Sequence, residues 1–394
     1  MTVQHGGGEP AAAAQLRQHN TALVLRALRD EGALSRTDLA RQTGLAKATV
    51  GTIIFDLTSL GVVADRSAEP APRGRPSRPV TLTGGRFVAL GVEVNVDYVS
   101  AAALDLTGRT VLAEERPIAD PSPETFASLT AEMAERLASD GRRLVGVAAA
   151  VPGLVETGGA RVAYAPNLQW RGVDLAHAMR GALSGDVVVT VDNDANCAAL
   201  AEATHGAARG VGDVLYLTGT VGIGSGIVSG GSLVRGGSGY AGEVGHMRIG
   251  DVGRRCACGR LGCWEAVIGL HAMLDAIGDP VPDSVDPMVV AADVANRAET
   301  DDRVRAGVAE VAQWLGTGAT ILANALNPSV IVLGGYFAPL GSWLLPTLRD
   351  ALRTDVFGEP GCRAELSTLG LRAAAIGAAC QSLNAIYDGR VPLR

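Results

Sequence analysis

Residues 243–265 read EVGHMRIGDVGRRCACGRLGCWE, a stretch that gathers three of the six cysteines, one histidine and a carboxylate at each end. His246, Cys256, Cys258 and Cys263 are four soft or borderline donors within eighteen positions, enough for a closed tetrahedral Cys3His zinc site. Gly259 and Gly262 fall between the last two thiols, where a tight loop calls for left-handed backbone angles. The Cys-x-Cys pair is tighter than the usual knuckle spacing, so reduced buried thiols and a disulfide stay open as alternatives.

Outward from this stretch, composition bounds the rest. With 394 residues and 47% apolar content the chain has room for more than one core, and two or three domains are expected. The beginning of the chain, MTVQHGGGEPAAAAQ, has no basic segment followed by an apolar run, and no stretch reaches about 18 uninterrupted apolar residues. A soluble cytoplasmic protein with no membrane partner is the expectation, and six cysteines with three in one cluster suit a reducing compartment. The net charge of −7 argues against a nucleic-acid binder until it is divided by region. Residues 1–83 hold ten Lys/Arg against seven Asp/Glu, net +3, which leaves −10 for the remainder. That asymmetry allows a basic DNA-reading module on an acidic body.

The first 83 residues carry a specific pattern. An apolar stripe with Leu16, Leu23 and Leu28 predicts a helix from Ala11 to Gly32. Ser35-Arg36-Thr37-Asp38 fits a capping box that opens a short helix, and Gly44 permits a sharp turn after it. The next helix, from Ala46 to Leu60, places Val50, Ile53, Ile54, Leu57 and Leu60 on one face and Lys47, Ala48, Thr49 and Thr52 outward at its start. This is the plan of a helix-turn-helix with its recognition helix; Ser35, Arg36, Lys47, Ala48, Thr49 and Thr52 are its candidate DNA contacts. Strands at residues 62–65 and 80–83 then flank a Pro/Arg-rich segment that reads as a wing, with Arg73, Arg75 and Arg78 placed to meet phosphates or a minor groove. A flexible linker with solvated arginines and an ordinary helical bundle are the plainer readings.

From Arg86 the texture becomes α/β. Strands are predicted at 87–94, 98–106, 110–114 and 144–151, a helix at 124–139, a strand at 187–191 and a helix at 195–208. Strands at 214–217 and 224–229 repeat the opening pattern, so a duplicated α/β unit is expected, followed by helices at 304–324 and 374–387 around a strand at 329–333. Two lobes with a ligand cleft between them fit this layout.

Glu243-Val-Gly-His246, nine residues, then Cys256-Ala-Cys258-Gly-Arg-Leu-Gly-Cys263-Trp-Glu265 resembles the signature of the ROK family of repressors, open reading frames and sugar kinases. The resemblance covers about residues 86–394, and the N-terminal module resembles that of the family's sugar-responsive repressors, those answering xylose, glucose or N-acetylglucosamine. It implies an actin-like, ribonuclease-H-like two-lobed fold over residues 84–394 behind a winged helix-turn-helix at 1–83. It also implies a structural Zn2+ at His246, Cys256, Cys258 and Cys263. Gly153 after Pro152, and Asn167 within Pro166-Asn167-Leu168, are similar to segments that touch the sugar. Asp192-Asn193-Asp194-Ala195-Asn196 is similar to the family's Asn-Asp-Ala-Asn motif, in which Asp194 takes the place of a kinase's general base. Glu243, His246 and Glu265 complete the implied ring around the sugar hydroxyls, with Asn193 beside them. Carboxylates and amides suit a polyol because they accept its many O–H donors.

The stretch departs from the family's kinases at the phosphate turn. Their Asp-x-Gly-Gly-Thr is here Glu93-Val94-Asn95-Val96-Asp97, where a β-branched Val96 replaces bare backbone and Asp97 adds negative charge. The second loop, Gly219 to Gly224, keeps glycines but has Val221 where the kinases have threonine. The expectation is therefore not an enzyme but a transcriptional regulator, a repressor whose sugar effector closes the lobes and weakens binding to double-stranded operator DNA. A homodimer or homotetramer is expected, because paired half-sites need paired modules. The alternative is an ATP-dependent sugar kinase of glucokinase type with an appended DNA-binding domain.

Overall fold

The computed structural model describes residues 9–66, 78–158, 160–220, 222–250, 253–280, 286–358 and 361–393, with side chains from Ala12 onward. The chain opens with α1 (Glu9–Glu31), α2 (Arg36–Thr43) and α3 (Lys47–Ser59), followed by β1 (Val63–Asp65) and β2 (Val80–Leu82), which pair antiparallel. Ser35 caps α2: its hydroxyl accepts from the Asp38 amide at 3.1 Å and donates to the Asp38 carboxylate at 2.7 Å. Gly44 ends the helix with φ +70°, the left-handed turn that a side chain resists. In α3, Val50, Ile53, Ile54 and Leu57 are buried as expected, while Leu60 is only half-buried at the helix end. Leu34 bridges to Val80, so the helix pair is tied to the two-stranded wing.

The body is built twice on one plan. The first sheet combines β3 (Phe87–Val94), β4 (Tyr98–Asp105), β5 (Thr110–Pro117), β6 (Arg143–Val151) and, later in the chain, Val189–Asn193. Between these strands lie α4 (Pro123–Ser139), a small three-stranded sheet of β7 (Leu154–Val155), β8 (Val162–Ala165) and β9 (Trp170–Val173), and α5 (Leu175–Ala182). The fifth strand of the first sheet, Val189–Asn193, is β10, and α6 (Asp194–Thr204) follows it directly. The second sheet contains β11 (Val214–Gly219), β12 (Ile223–Ser229) and β13 (Ser232–Leu233). Its last two strands come after α7 (Glu265–Ile268), α8 (Leu270–Ala276), α9 (Pro287–Ala298) and α10 (Asp302–Leu326). They are β14 (Val330–Gly335) and, beyond α11 (Gly341–Thr354), β15 (Arg363–Leu366); α12 (Ala373–Tyr387) closes the fold.

The strand orders are β5-β4-β3-β6-β10 and β13-β12-β11-β14-β15. In each sheet the first three strands form an antiparallel meander and the last two join in parallel. This correspondence establishes the expected duplication and the two-lobed actin-like architecture. Between the sheets, α6 and α12 pack almost backbone to backbone. A Cβ on Gly377 would lie 1.7 Å from the Cys197 carbonyl oxygen, and one on Gly91 would lie 2.0 Å from that of Ala375. Only glycine permits such approaches.

Several boundaries differ from the sequence reading. The strand expected at 187–191 runs two residues later, up to Asn193, because Asn193 is itself the cap of α6, accepting from the Asn196 amide at 3.0 Å. That helix stops at Thr204 rather than 208, since the buried Glu202 carboxylate takes the Ala207 amide at 2.7 Å and the Ser367 hydroxyl at 2.5 Å, winding residues 205–208 into a turn around it. The three-stranded sheet β7–β9 and helices α5 and α7 to α9 were not anticipated.

The winged helix does not hang free. Val24, Leu25 and Leu28 of α1 share one buried cluster with Phe87, Leu104, Ile376, Leu383 and Ile386 of the body. Gln18 donates to the Gly389 carbonyl at 2.8 Å, and the Arg29 guanidinium lies 4.7 Å over the Tyr387 ring.

Candidate functional site

The four donors of the opening stretch come together. The ligand atoms of His246, Cys256, Cys258 and Cys263 all lie within 4.8 Å of one another. The Cys256 sulfur is 3.8 Å from His246 Nδ1, and the sulfurs of Cys258 and Cys263 are 3.7 Å apart. A tetrahedral ion with metal–sulfur bonds of about 2.3 Å has edges of about 3.6 to 3.8 Å, so the set fits a four-coordinate metal. The loop reaches this geometry through Gly259 (φ +86°) and Gly262 (φ +77°), as the sequence required, and through two short bridges, Arg248 to Cys263 and Arg255 to Leu261. All six cysteines are free thiols, which removes the disulfide alternative. Facing Cys256 with Nδ1 leaves Nε2 of His246 for another partner.

Glu265 connects this knot to the second lobe. One carboxylate oxygen accepts from the Ile223 amide at 3.0 Å, at the start of β12, and the other takes the Cys256 thiol at 3.2 Å. Glu243 lies beside both: its carboxyl is raised above the ordinary range, first by burial, with the Glu265 charge adding and His246 opposing. Glu243 also lines a small cavity with Gly153, Asn193, Asn196, Gly239 and Tyr240. The Asn193 side chain donates to the Gly153 carbonyl at 3.0 Å, and Gly153 itself, at φ +149°, has no space for a Cβ, which would fall 2.4 Å from the Tyr164 oxygen. Gly153, Asn193 and Glu243 thus line one cavity, and Asp194 follows Asn193 in the chain. Asn167 is exposed on a 3-10 turn at 166–168 and lines neither this cavity nor the next.

Asp194 faces a second small cavity on the other side of the Asn193–Ala195 segment, with Glu93, Tyr98, Thr218, Thr220 and Gly335. Burial raises the Asp194 carboxyl to about 6, and the Glu243 charge adds to the shift while the Ala195 amide opposes it. Glu93 is pushed well above the carboxylate range, first by burial and then by the Asp194 charge. Its Oε1 accepts from the Tyr98 hydroxyl at 3.0 Å, Tyr98 in turn accepts from Asn95 Nδ2 at 3.1 Å, and Glu93 Oε2 is buried without a partner. The Asn95 carboxamide oxygen also takes the Val96 amide at 2.8 Å. Among the described residues only Gln169 and Asn327 are non-glycines with positive φ, so the 95–97 turn contains none of the left-handed backbone of a glycine cradle. The two cavities measure about 20 and 30 Å³, room for roughly one water each.

On the DNA-binding module, Lys47, Ala48 and Thr52 are exposed at the start of α3 and Thr49 is half-buried. The Thr52 hydroxyl bonds back to the Ala48 carbonyl at 3.2 Å. Ser35 caps α2, and Arg36, exposed, pairs with Asp65 at 3.0 Å. Phe55, also on α3, is 72% exposed. Arg78 is exposed beside β2, whereas Arg73, Arg75 and Val221 lie outside the described residues.

Residues 89–384 match the profile of the ROK family. The chain belongs to the ROK family. Residues 19–64 match a winged helix-turn-helix DNA-binding profile. The chain is 29% identical over 374 residues to the xylose repressor of Bacillus subtilis, spanning 92% of this chain and 94% of that one. It is 26% identical over 350 residues to the Escherichia coli DNA-binding transcriptional dual regulator NagC, spanning 86% of each. The crystal structure of a ROK family transcriptional regulator, a homologue of the E. coli MLC protein, superposes with a TM-score of 0.81 at 25% identity over 95% of this chain and 98% of that one. A ROK glucokinase from Streptomyces griseus, in complex with glucose and AMPPNP, gives 0.62 at 27% identity but covers 75% of this chain and 98% of its own. The kinase thus matches nearly its whole length against three-quarters of this chain, while the regulator accounts for nearly all of it.

Gly153, Asn193 and Glu243 share one cavity, whereas Glu93, Asn95 and Tyr98 fill the turn at 93–97. The sequence reading passed over Tyr98, whose hydroxyl fills the altered turn, and the Gly239-Tyr240-Ala241 segment that walls the sugar-side cavity. The glycine-rich run VRGGSGYAGE at 234–243, directly before Glu243, was the available signal for the latter.

Proposed function

We propose that this ROK protein is a DNA-binding transcriptional repressor of carbohydrate metabolism whose operator affinity is set by a sugar held in a degenerate kinase fold. The observation that carries this reading is the combination of a winged helix-turn-helix sharing one core with the body and a gathered polyol-type site whose phosphate turn is filled by Glu93, Asn95 and Tyr98. Gly153, Asn167, Asn193, Asp194, Glu243, His246 and Glu265 are the assigned sugar contacts. In this assignment Asp194 accepts a sugar hydroxyl rather than serving as a base, and His246 donates from Nε2. Asn167, being exposed, joins only if the Pro166–Leu168 turn folds over the bound sugar.

His246, Cys256, Cys258 and Cys263 hold a structural zinc. Zinc bound there would close the loop, its charge more than balanced by three thiolates, and four protein ligands leave no position for water activation. Its consequence for this chain is positional: Glu265 and His246 are held on the sugar side by the same loop that Cys256 and Cys263 close. Lys47, Ala48, Thr49 and Thr52 meet the operator, with Arg78 and the wing beside them. The active species is a homodimer or homotetramer in the cytoplasm.

A monosaccharide exceeds the space beside Gly153 and Glu243, so its entry displaces the Gly239–Glu243 segment, and that displacement is the switch. A gel shift with the upstream region of its own gene cluster and a sugar panel tests this. At least one sugar is expected to weaken DNA binding; unchanged affinity with every sugar that binds would sink the model.

The second reading, a sugar kinase, draws on one observation: a carboxyl with its pKa raised to about 6, as at Asp194, suits a general base. A coupled assay for ADP release separates the two, turnover of about 1 to 100 per second favouring the kinase.

A further inference from the structure

Phe55 is 72% exposed on α3 and belongs to none of the buried clusters. A single exposed phenylalanine carries no message by itself. Its position on the helix does. At 3.6 residues per turn, Ala48, Thr52, Phe55 and Ser59 fall within about 60° of one another around the axis, opposite the buried Val50, Ile53, Ile54 and Leu57. Phe55 therefore shares the outward stripe of the recognition helix with Ala48 and Thr52.

That stripe has little with which to hydrogen-bond a base. The helix contains no Arg, Asn, Gln or Glu. The hydroxyls of Thr52, Thr58 and Ser59 each donate to the carbonyl four residues back, at 3.2, 2.7 and 2.9 Å. The one carboxylate of the helix, on Asp56, is held by Arg17 of α1 at 2.6 Å, so its charge is balanced beside the stripe. What α3 turns outward is Ala48, the rest of the Thr52 side chain and the Phe55 ring, with Lys47 at its start. The surface is apolar and carries no unbalanced negative charge, which suits the floor of a major groove.

The base edges of that groove offer one apolar group, the C5 methyl of thymine. Building on the operator-binding reading of this module, we propose that Phe55 is a specificity-determining residue whose ring packs on a thymine methyl in the major groove. The helix then selects thymine at that position by apolar contact instead of a hydrogen bond. Cytosine in the same place brings no methyl and sets its amino group against the ring without a partner, which penalises it further. From Ala48 to Phe55 the helix advances about 10 Å, or about three base-pair steps, so the two residues address opposite ends of one short run of bases. Lys47 contributes charge, and Phe55 contributes choice.

The test uses the full-length protein and a pool of randomised DNA duplexes, from which sites are selected by the wild type, Phe55→Leu and Phe55→Ala. The wild type is expected to recover a site with thymine fixed at one position in each half-site. Uracil in place of that thymine removes only the methyl; it should weaken wild-type binding about threefold to fivefold, the worth of one buried methyl, and leave Phe55→Ala indifferent. Phe55→Leu, still apolar, should keep the preference. Phe55→Ala should lose it at that position alone, with its melting temperature and the salt dependence of its binding to random DNA unchanged, since an exposed ring supports neither the core nor a phosphate contact. Equal uracil sensitivity in the wild type and Phe55→Ala, or identical sites selected by the two, overturns the proposal and leaves DNA binding standing. Loss of preference at every position in Phe55→Ala, or a lowered melting temperature, makes the residue structural and overturns it as well. A change of oligomeric state on sedimentation with selection unaltered assigns the ring to contact with a second copy instead. A wild type that selects no sequence from the pool overturns the operator-binding reading, and this inference with it.

Discussion

At Asp194 the sugar response acquires a pH dependence. Its carboxyl, raised to about 6 by burial first and Glu243 second, must be ionised to accept a sugar hydroxyl at full strength. Sugar affinity is therefore expected to be flat from about pH 7 to 8 and to fall by up to about tenfold per unit below 6, measured by titration calorimetry. The stability of the free protein runs the other way. Because the folded-state value lies above the ordinary 3.8, the native protein binds the extra proton, and stability falls as pH rises from about 4 to 6 and is then level. Asp194→Asn should thus raise stability at pH 7 by roughly 1 to 3 kcal/mol while weakening sugar binding about tenfold to hundredfold, the loss of a charge-assisted bond. A variant destabilised at pH 7 would refute the buried-carboxylate account. Asp194 and Asn193 were legible in the sequence because their neighbours in the motif are contiguous. Asp192, one residue earlier, was not, since the partners that give it meaning are Arg235 and Gln381, 189 positions away in the latter case.

At the scale of elements, the stretch at 243–265 was readable because a set of metal-type donors in one loop is local: donor types, glycine positions and spacing are all in one segment, and the φ values of Gly259 and Gly262 followed from it. The duplicated sheets were readable for a similar reason, since their hairpin-forming strands are adjacent in the chain. The small sheet β7–β9 was missed because its strands have two to four residues, too few for alternation to register. Cys256→Ser and Cys263→Ser are expected to lose bound zinc, by elemental analysis, and with it the sugar response, since Glu265 follows Cys263 by two residues and its carboxylate is held by the Ile223 amide at the start of β12. Normal sugar response without metal would contradict this. On α3, Lys47→Ala is expected to weaken DNA binding about equally on specific and random sequence and to reduce the slope of log affinity against log salt by about one, because an exposed lysine at the helix start serves phosphate rather than a base. Loss of sequence preference with an unchanged slope would assign it to base readout instead.

Across the whole molecule, the cavity beside Gly153 and Glu243 and the DNA-binding module are joined through two central helices. Asn193 and Asp194 begin α6, α6 packs on α12 through Gly377, and α12 ends where Gln18, Ala22 and Arg29 of α1 rest on it. Gly389 is the tightest point of that last contact: its φ is +69°, and an added Cβ would lie 3.0 Å from the Ala22 methyl. A β-branched residue there is strained in its own backbone and pushes α1 from its seat, so Gly389→Val is expected to cost about 1 to 3 kcal/mol of stability. Sugar binding should be unaffected, because the substitution touches neither cavity wall beside Asp194. What should change is the coupling. In the wild type, sugar and operator oppose each other by a common factor, typically about 5 to 150, and reciprocity requires that operator DNA lower sugar affinity by the same factor that sugar lowers operator affinity. In Gly389→Val both factors should shrink together toward one, measured by gel shift with and without sugar and by sugar titration with and without operator. Equal, undiminished factors in the variant would place the coupling route elsewhere than the α12–α1 contact, because a rigid relay cannot survive displacement of its last member.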